Sequence, residues 1–129
     1  MGKRILVIEN DPGIKEILNL ILELEGFEVM DLKHAEFSVS RIVNFNPHLI
    51  LMDILRPGNL ERKFCQSLKL SAKTNHIPII LMSTLERLII DFRMSGANDS
   101  ILKPFMLDTF IETIKKHLKL APKELFASE

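Results

Sequence analysis

Three runs along the chain are apolar at every position: "ILVI" at 5–8, "LILM" at 49–52 and "IILM" at 79–82. Four consecutive apolar residues bounded by polar or turn residues fit strands covered on both faces, so these three should lie at the centre of a sheet. "FEVMD" at 27–31 and "SIL" at 100–102 mix apolar with polar positions, as edge strands do. Between the strands, apolar residues recur at helical spacing. Ile14, Ile17, Leu18 and Ile21 form one stripe, Val39, Ile42 and Val43 a second, and Leu60, Phe64 and Leu68 a third. Leu85, Leu88, Ile89 and Phe92 make a fourth, and Leu107, Phe110, Ile111, Ile114 and Leu118 a fifth. All five stripes are read as core.

Strand and helix therefore alternate, which predicts an α/β domain with a parallel sheet. Asp11 and Pro12 supply a cap and a first-turn proline for the first helix, while Gly26 and Gly96 close the first and fourth. Three central and two edge strands with short right-handed connections suit a flavodoxin-like, doubly wound sheet of order 2-1-3-4-5 with five helices. The 129 residues make one domain, expected over 3–119, with 120–129 as a C-terminal tail or the start of a linker after Pro122 breaks the last helix.

Composition narrows the function classes. Seventeen Lys and Arg balance seventeen Asp and Glu, so nothing in the net charge favours nucleic acid or an anionic membrane. No apolar run approaches a transmembrane span and no signal peptide is visible, which gives a cytoplasmic expectation. Cys65 is read as a core thiol, and His34, His48, His76 and His117 as surface imidazoles without metal-ligand spacing.

The polar residues that carry chemistry collect at the carboxyl ends of the strands. The first strand runs into Glu9-Asn10-Asp11, the third ends in Asp53, the fourth in Ser83-Thr84 and the fifth in Lys103-Pro104. In an open parallel sheet these ends share one edge, with neighbouring strands about 4.8 Å apart. Lys103 stands two strands from Asp53, roughly 10 Å at the backbone, within reach of its four-carbon stem. Acidic groups, a hydroxyl and an ammonium around one aspartate suit oxyanion and metal chemistry.

"ILVIENDP", "LILMDILRPG", "IILMST" and "SGANDSILKPF" together resemble the receiver domain of two-component response regulators. The resemblance implies that Asp53 accepts a phosphoryl group from a histidine kinase or phosphotransfer protein. It further implies that Glu9, Asn10, Asp53 and the Leu55 carbonyl hold magnesium, that Ser83 is the switch hydroxyl with Thr84 next to it at the phosphoryl site, and that Lys103 pairs with the phosphoryl oxygens. Magnesium should bind weakly, because Asn10 brings an oxygen without its charge. The Lys103-Pro104 bond is expected to be cis. Output is expected through helix 4, strand 5 and helix 5, with Ile90, Met94 and Ser100 on that surface and an unknown partner or a second copy as its target. Direct nucleic acid binding, membrane association and turnover catalysis are not expected. The sequence departs from the family pattern at Asn10, at Glu61 where glycine is usual, at Thr84 and at Ser100. These departures keep open the alternative of a pseudo-receiver, a protein-interaction module that signals without phosphorylation.

Overall fold

In a computed structural model of the chain, residues 2–54, 60–87, 90 and 96–120 are described. β1 (Arg4–Ile8) leads into α1 (Pro12–Leu24), β2 (Glu28–Leu32), a 3-10 turn (His34–Glu36) and α2 (Val39–Phe45). β3 (Leu49–Asp53), α3 (Leu60–Leu70), β4 (Ile79–Ser83), β5 (Asp99–Leu102) and α4 (Leu107–His117) follow. All strand pairs are parallel in the order β2-β1-β3-β4-β5, as the apolar pattern predicts. Where the expected fourth helix runs, Glu86, Arg87 and Ile90 are helical. Leu88, Ile89, Phe92 and Met94 lie outside the described residues, as do Leu55 and 121–129, so the last helix is labelled α4.

Every residue of β3 and β4 is buried, whereas β2 and β5 are largely half-exposed, as central and edge strands should be. Because successive side chains on a strand point to opposite faces, the core divides in two. Leu6, Ile8, Ile50, Met52 and Leu81 pack with Ile42, Phe64, Cys65 and Leu68 on one face. Ile5, Val7, Leu51, Ile80 and Met82 pack with Leu18, Leu22, Phe110 and Ile114 on the other. Burial pushes the Cys65 thiol up to about 12, which makes it an inert core group, as expected.

The helical stripes are wider than the strip the sheet covers. Ile14, Ile17, Leu60, Leu85 and Leu107, all read as core from their spacing, are exposed. On α1 the buried line runs through Leu18 and Leu22, and Ile17 falls to one side of it at 59% exposure. Leu60 and Leu107 are each the first residue of a helix.

The signals at both ends of the first helix hold. Asp11 caps α1 by accepting from the Gly13 and Ile14 amides, with Pro12 in the first turn. After α1, Gly26 takes φ +88°, a left-handed angle that suits glycine. Gly96, at φ +98°, also faces Lys69, whose Cγ would lie 2.9 Å from an added Cβ.

Candidate functional site

Register places the strand ends at one level. Ile8 pairs with Met52, Asp53 with Met82 and Ser83 with Leu102, so Glu9, Asp53, Ser83 and Lys103 succeed one another across the sheet edge. Backbone bonds fix the exits: Glu9 N–H donates to the Leu32 carbonyl, Ile54 N–H to Met82 and Lys103 N–H to Ser83. The Lys103-Pro104 bond is cis, as expected.

Lys103 crosses the edge as its stem length allows. Its Nζ lies 2.5 Å from Asp53 Oδ1 and 3.6 Å from Glu9 Oε1. Asp53 is 5% exposed and Glu9 1%, so the two carboxylates share one ammonium in a nearly dry setting. Burial, reinforced by the charge of Asp53, holds the Glu9 carboxyl above its ordinary value, and the Asp11 amide, Lys103 and His34 offset only part of this. Burial likewise raises Asp53, against the opposing pull of Lys103.

Glu9 Oε2 accepts from the Asp11 amide, but Glu9 Oε1 is buried with no hydrogen-bond partner. A buried carboxylate oxygen left in this state fits a hard cation, and so does an all-oxygen donor set. Among the described residues no cluster of three His, Cys, Asp or Glu side chains is arranged to hold a metal. The Leu55 carbonyl, expected as a ligand, is outside the described residues.

On the other side of β3 the structure corrects the sequence reading. His34, read as a surface imidazole, is 4% exposed, because the turn after β2 folds over the ends of β1 and β3. Its backbone N–H donates to Asn10 Oδ1 at 2.8 Å, and its Nδ1 lies 2.9 Å from the same oxygen. Its Nε2 is 2.8 Å from the Asp53 carbonyl oxygen and 3.8 Å from Glu61 Oε2. Glu61, in the first turn of α3, is also buried. Phe64 stacks between this corner and Phe37, with ring centroids 3.9 Å apart in the Phe37 pair. Neither His34 nor Glu61 was expected as part of a site. The one signal was negative: a charged residue at 61 where the resembled family has glycine.

Ser83 is buried, and its Oγ accepts from the Leu85 amide at 3.1 Å. Thr84 is exposed, and with Ile14, Ile17, Lys103 and Phe105 it lines an apolar groove of about 410 Å³ beside the site. Ile90 is exposed and Ser100 half-exposed, while Met94 lies outside the described residues.

Comparison with known proteins places the fold in a family. The family model for the response regulator receiver domain matches residues 5–115. The phosphate regulon transcriptional regulatory protein PhoB of Klebsiella pneumoniae is 32% identical over 117 residues, covering 89% of this chain and 51% of that protein. The chain thus spans about half the length of the curated relatives it matches. The signal receiver domain of a histidine kinase from Syntrophus aciditrophicus superposes with a TM-score of 0.79 at 29% identity, covering 92% of this chain and 91% of that one. A CheY-like receiver domain protein from Methanospirillum hungatei gives 0.78 at 25% identity, covering 92% and 95%. With its sheet order, its aligned strand ends and a family match over most of its length, the chain belongs to the response regulator receiver domain family of two-component signalling.

Proposed function

We propose that this receiver takes a phosphoryl group onto Asp53 from the phosphohistidine of a kinase or phosphotransfer protein. The observation that carries the reading is the contact of Asp53 Oδ1 with Lys103 Nζ at 2.5 Å, in a buried corner at the ends of β3 and β5. An Asp53 carboxylate oxygen attacks phosphorus in line; the new O–P bond forms as the P–N bond to the donor imidazole breaks. Lys103 sits where it can balance charge on the transferred oxygens. Ser83 can trade its bond with the Leu85 amide for one that its hydroxyl donates to a phosphoryl oxygen. That exchange would pull on the chain leading to Ile90 and bias the surface of the fourth helix, β5 and α4.

Glu9 and Asp53 would hold magnesium with waters, using Glu9 Oε1, which faces Lys103 but accepts no hydrogen bond. When bound, the ion would supply charge neutralisation at the phosphoryl oxygens. Asn10 Oδ1 is engaged by the backbone N–H and ring Nδ1 of His34. Residues 3–119 form the receiver on this reading, which works in the cytoplasm as a phosphoacceptor rather than as a turnover enzyme. Its output goes to a protein partner or a second copy.

The engagement of Asn10 favours the second reading, a pseudo-receiver that signals through protein contacts alone. Intact-mass spectrometry after incubation with a small acyl phosphate and magnesium decides between the two. One added phosphoryl group, absent in Asp53→Ala, supports phosphotransfer; no mass gain in the wild-type chain overturns it.

A further inference from the structure

Asn10 stands beside Glu9 on the exit of β1, and its amide oxygen has two lone pairs available for donors or a cation. Both face His34. The backbone N–H of His34 can only donate, which identifies the atom 2.8 Å away as oxygen and not the amide nitrogen. The ring Nδ1 meets the same oxygen at 2.9 Å from a second direction. At the far side of the ring, Nε2 reaches the Asp53 carbonyl at 2.8 Å. Both ring contacts are hydrogen bonds at once only when both nitrogens carry hydrogen, since both partners are acceptors. The ring cannot drift freely from this position: it is 4% exposed, is flanked by Phe64, and has Glu61 Oε2 3.8 Å from Nε2.

We propose that His34 is a positioning residue that withholds Asn10 from a cation at the Glu9–Asp53 pair, so that cation affinity is governed by the turn after β2. The inference rests on the magnesium reading above. A cation drawing on the Asn10 oxygen must displace the Nδ1 contact, whereas one bound by Glu9 and Asp53 leaves it intact. Weak binding then follows chiefly from an occupied oxygen, over and above the charge an amide lacks. The same ring holds the main chain at Asp53, so release of Asn10 and movement of the β3 exit are linked through one side chain.

A double-mutant cycle with magnesium chloride, read by isothermal titration calorimetry on the whole chain, tests this without any phosphorylation assay. His34→Phe keeps an aromatic ring and removes both ring nitrogens. It should tighten magnesium binding about tenfold, within the range of outer-shell effects on metal affinity. Asn10→Ala should change wild-type affinity less than about twofold, yet cancel the gain in the His34→Phe background. His34→Asn, which can still donate from near the Nδ1 position, should bind like wild type. An additive cycle, in which Asn10→Ala weakens both backgrounds equally, overturns the inference and leaves the magnesium reading standing. If no form binds magnesium, both fail. Should His34→Phe not fold, judged by circular dichroism, Asn10→Ala in the wild-type chain decides: a loss beyond about fivefold overturns the proposal, and a loss below about twofold supports it.

Discussion

The two sides of Asp53 are built on different physical terms. Toward β5, one ammonium reaches the carboxylates of Asp53 and Glu9, and the Ser83 hydroxyl rests on a neighbouring amide, an arrangement that one rotation can change. Toward β2, a buried histidine makes three close contacts with Asn10 and the Asp53 main chain, a knot that must be broken before it can move. On the proposed reading, charge balance at the Lys103 side would support phosphoryl transfer, and the close contacts of His34 would restrain it. A single aspartate can carry both because its side chain faces one neighbour and its carbonyl the other.

The largest expected effect lies on the Lys103 side. Lys103→Met keeps the apolar stem and removes the cation that both carboxylates share. The initial rate of Asp53 modification by a small acyl phosphate should fall on the order of a hundredfold, the scale seen when one charge-stabilising donor is lost. A fall of less than about threefold would place the chemistry elsewhere and dissolve the contrast.

Glu61 tests the other side. It adds a third carboxylate near Asp53 and helps to raise the Asp53 carboxyl, so Glu61→Gln should favour the approach of an anionic donor. Stopped-flow or quenched-flow rates should rise about three- to tenfold, a gain of roughly one kcal/mol. The variant should lose only about half a kcal/mol of stability at the first turn of α3, where a negative charge suits the helix N-terminus. Unchanged rates would mean that the His34 contact already offsets the Glu61 charge.

Stability against pH asks whether the carboxylates are held at a cost. Burial raises the folded-state proton affinity of Asp53, so its ionised form opposes folding at neutral pH, and stability rises as pH falls through the folded-state value toward the ordinary 3.8. Asp53→Asn should therefore have a higher urea midpoint than wild type at pH 7, with the margin shrinking as the pH is lowered. A margin independent of pH would show that Lys103 fully compensates the buried charge.

The two sides also differ in how far they can be read from the chain. Glu9, Asp53, Ser83 and Lys103 each end an apolar run, and a parallel sheet must bring such ends together, so their meeting follows from periodicity and topology. His34 follows the edge strand β2 and lies in a short 3-10 turn whose path depends on Phe37 and Phe64 packing beneath it. No spacing rule encodes that fold-back. The exposed Ile17 and Leu107 mark the reverse limit: helical spacing identifies an apolar face but cannot say how much of that face the sheet is wide enough to cover.

The smallest expected effect concerns where each side leads. From Ser83 the chain runs through Leu85 to Ile90, both exposed, whereas His34 leads inward to Phe64 and the core of α3. If the Ser83 side is the one wired to partners, a charge at Ile90 should weaken association and leave the chemistry alone. An exposed apolar contact is worth about one kcal/mol, so Ile90→Asp should reduce self-association or partner binding about fivefold, measured by sedimentation with and without phosphodonor. The phosphorylation rate and thermal midpoint should stay at wild-type values, because Ile90 is 60% exposed and has little packing to lose. Association that survives the change while responding to His34→Phe would shift the output to the β2 side, reversing the contrast between the two sides of Asp53.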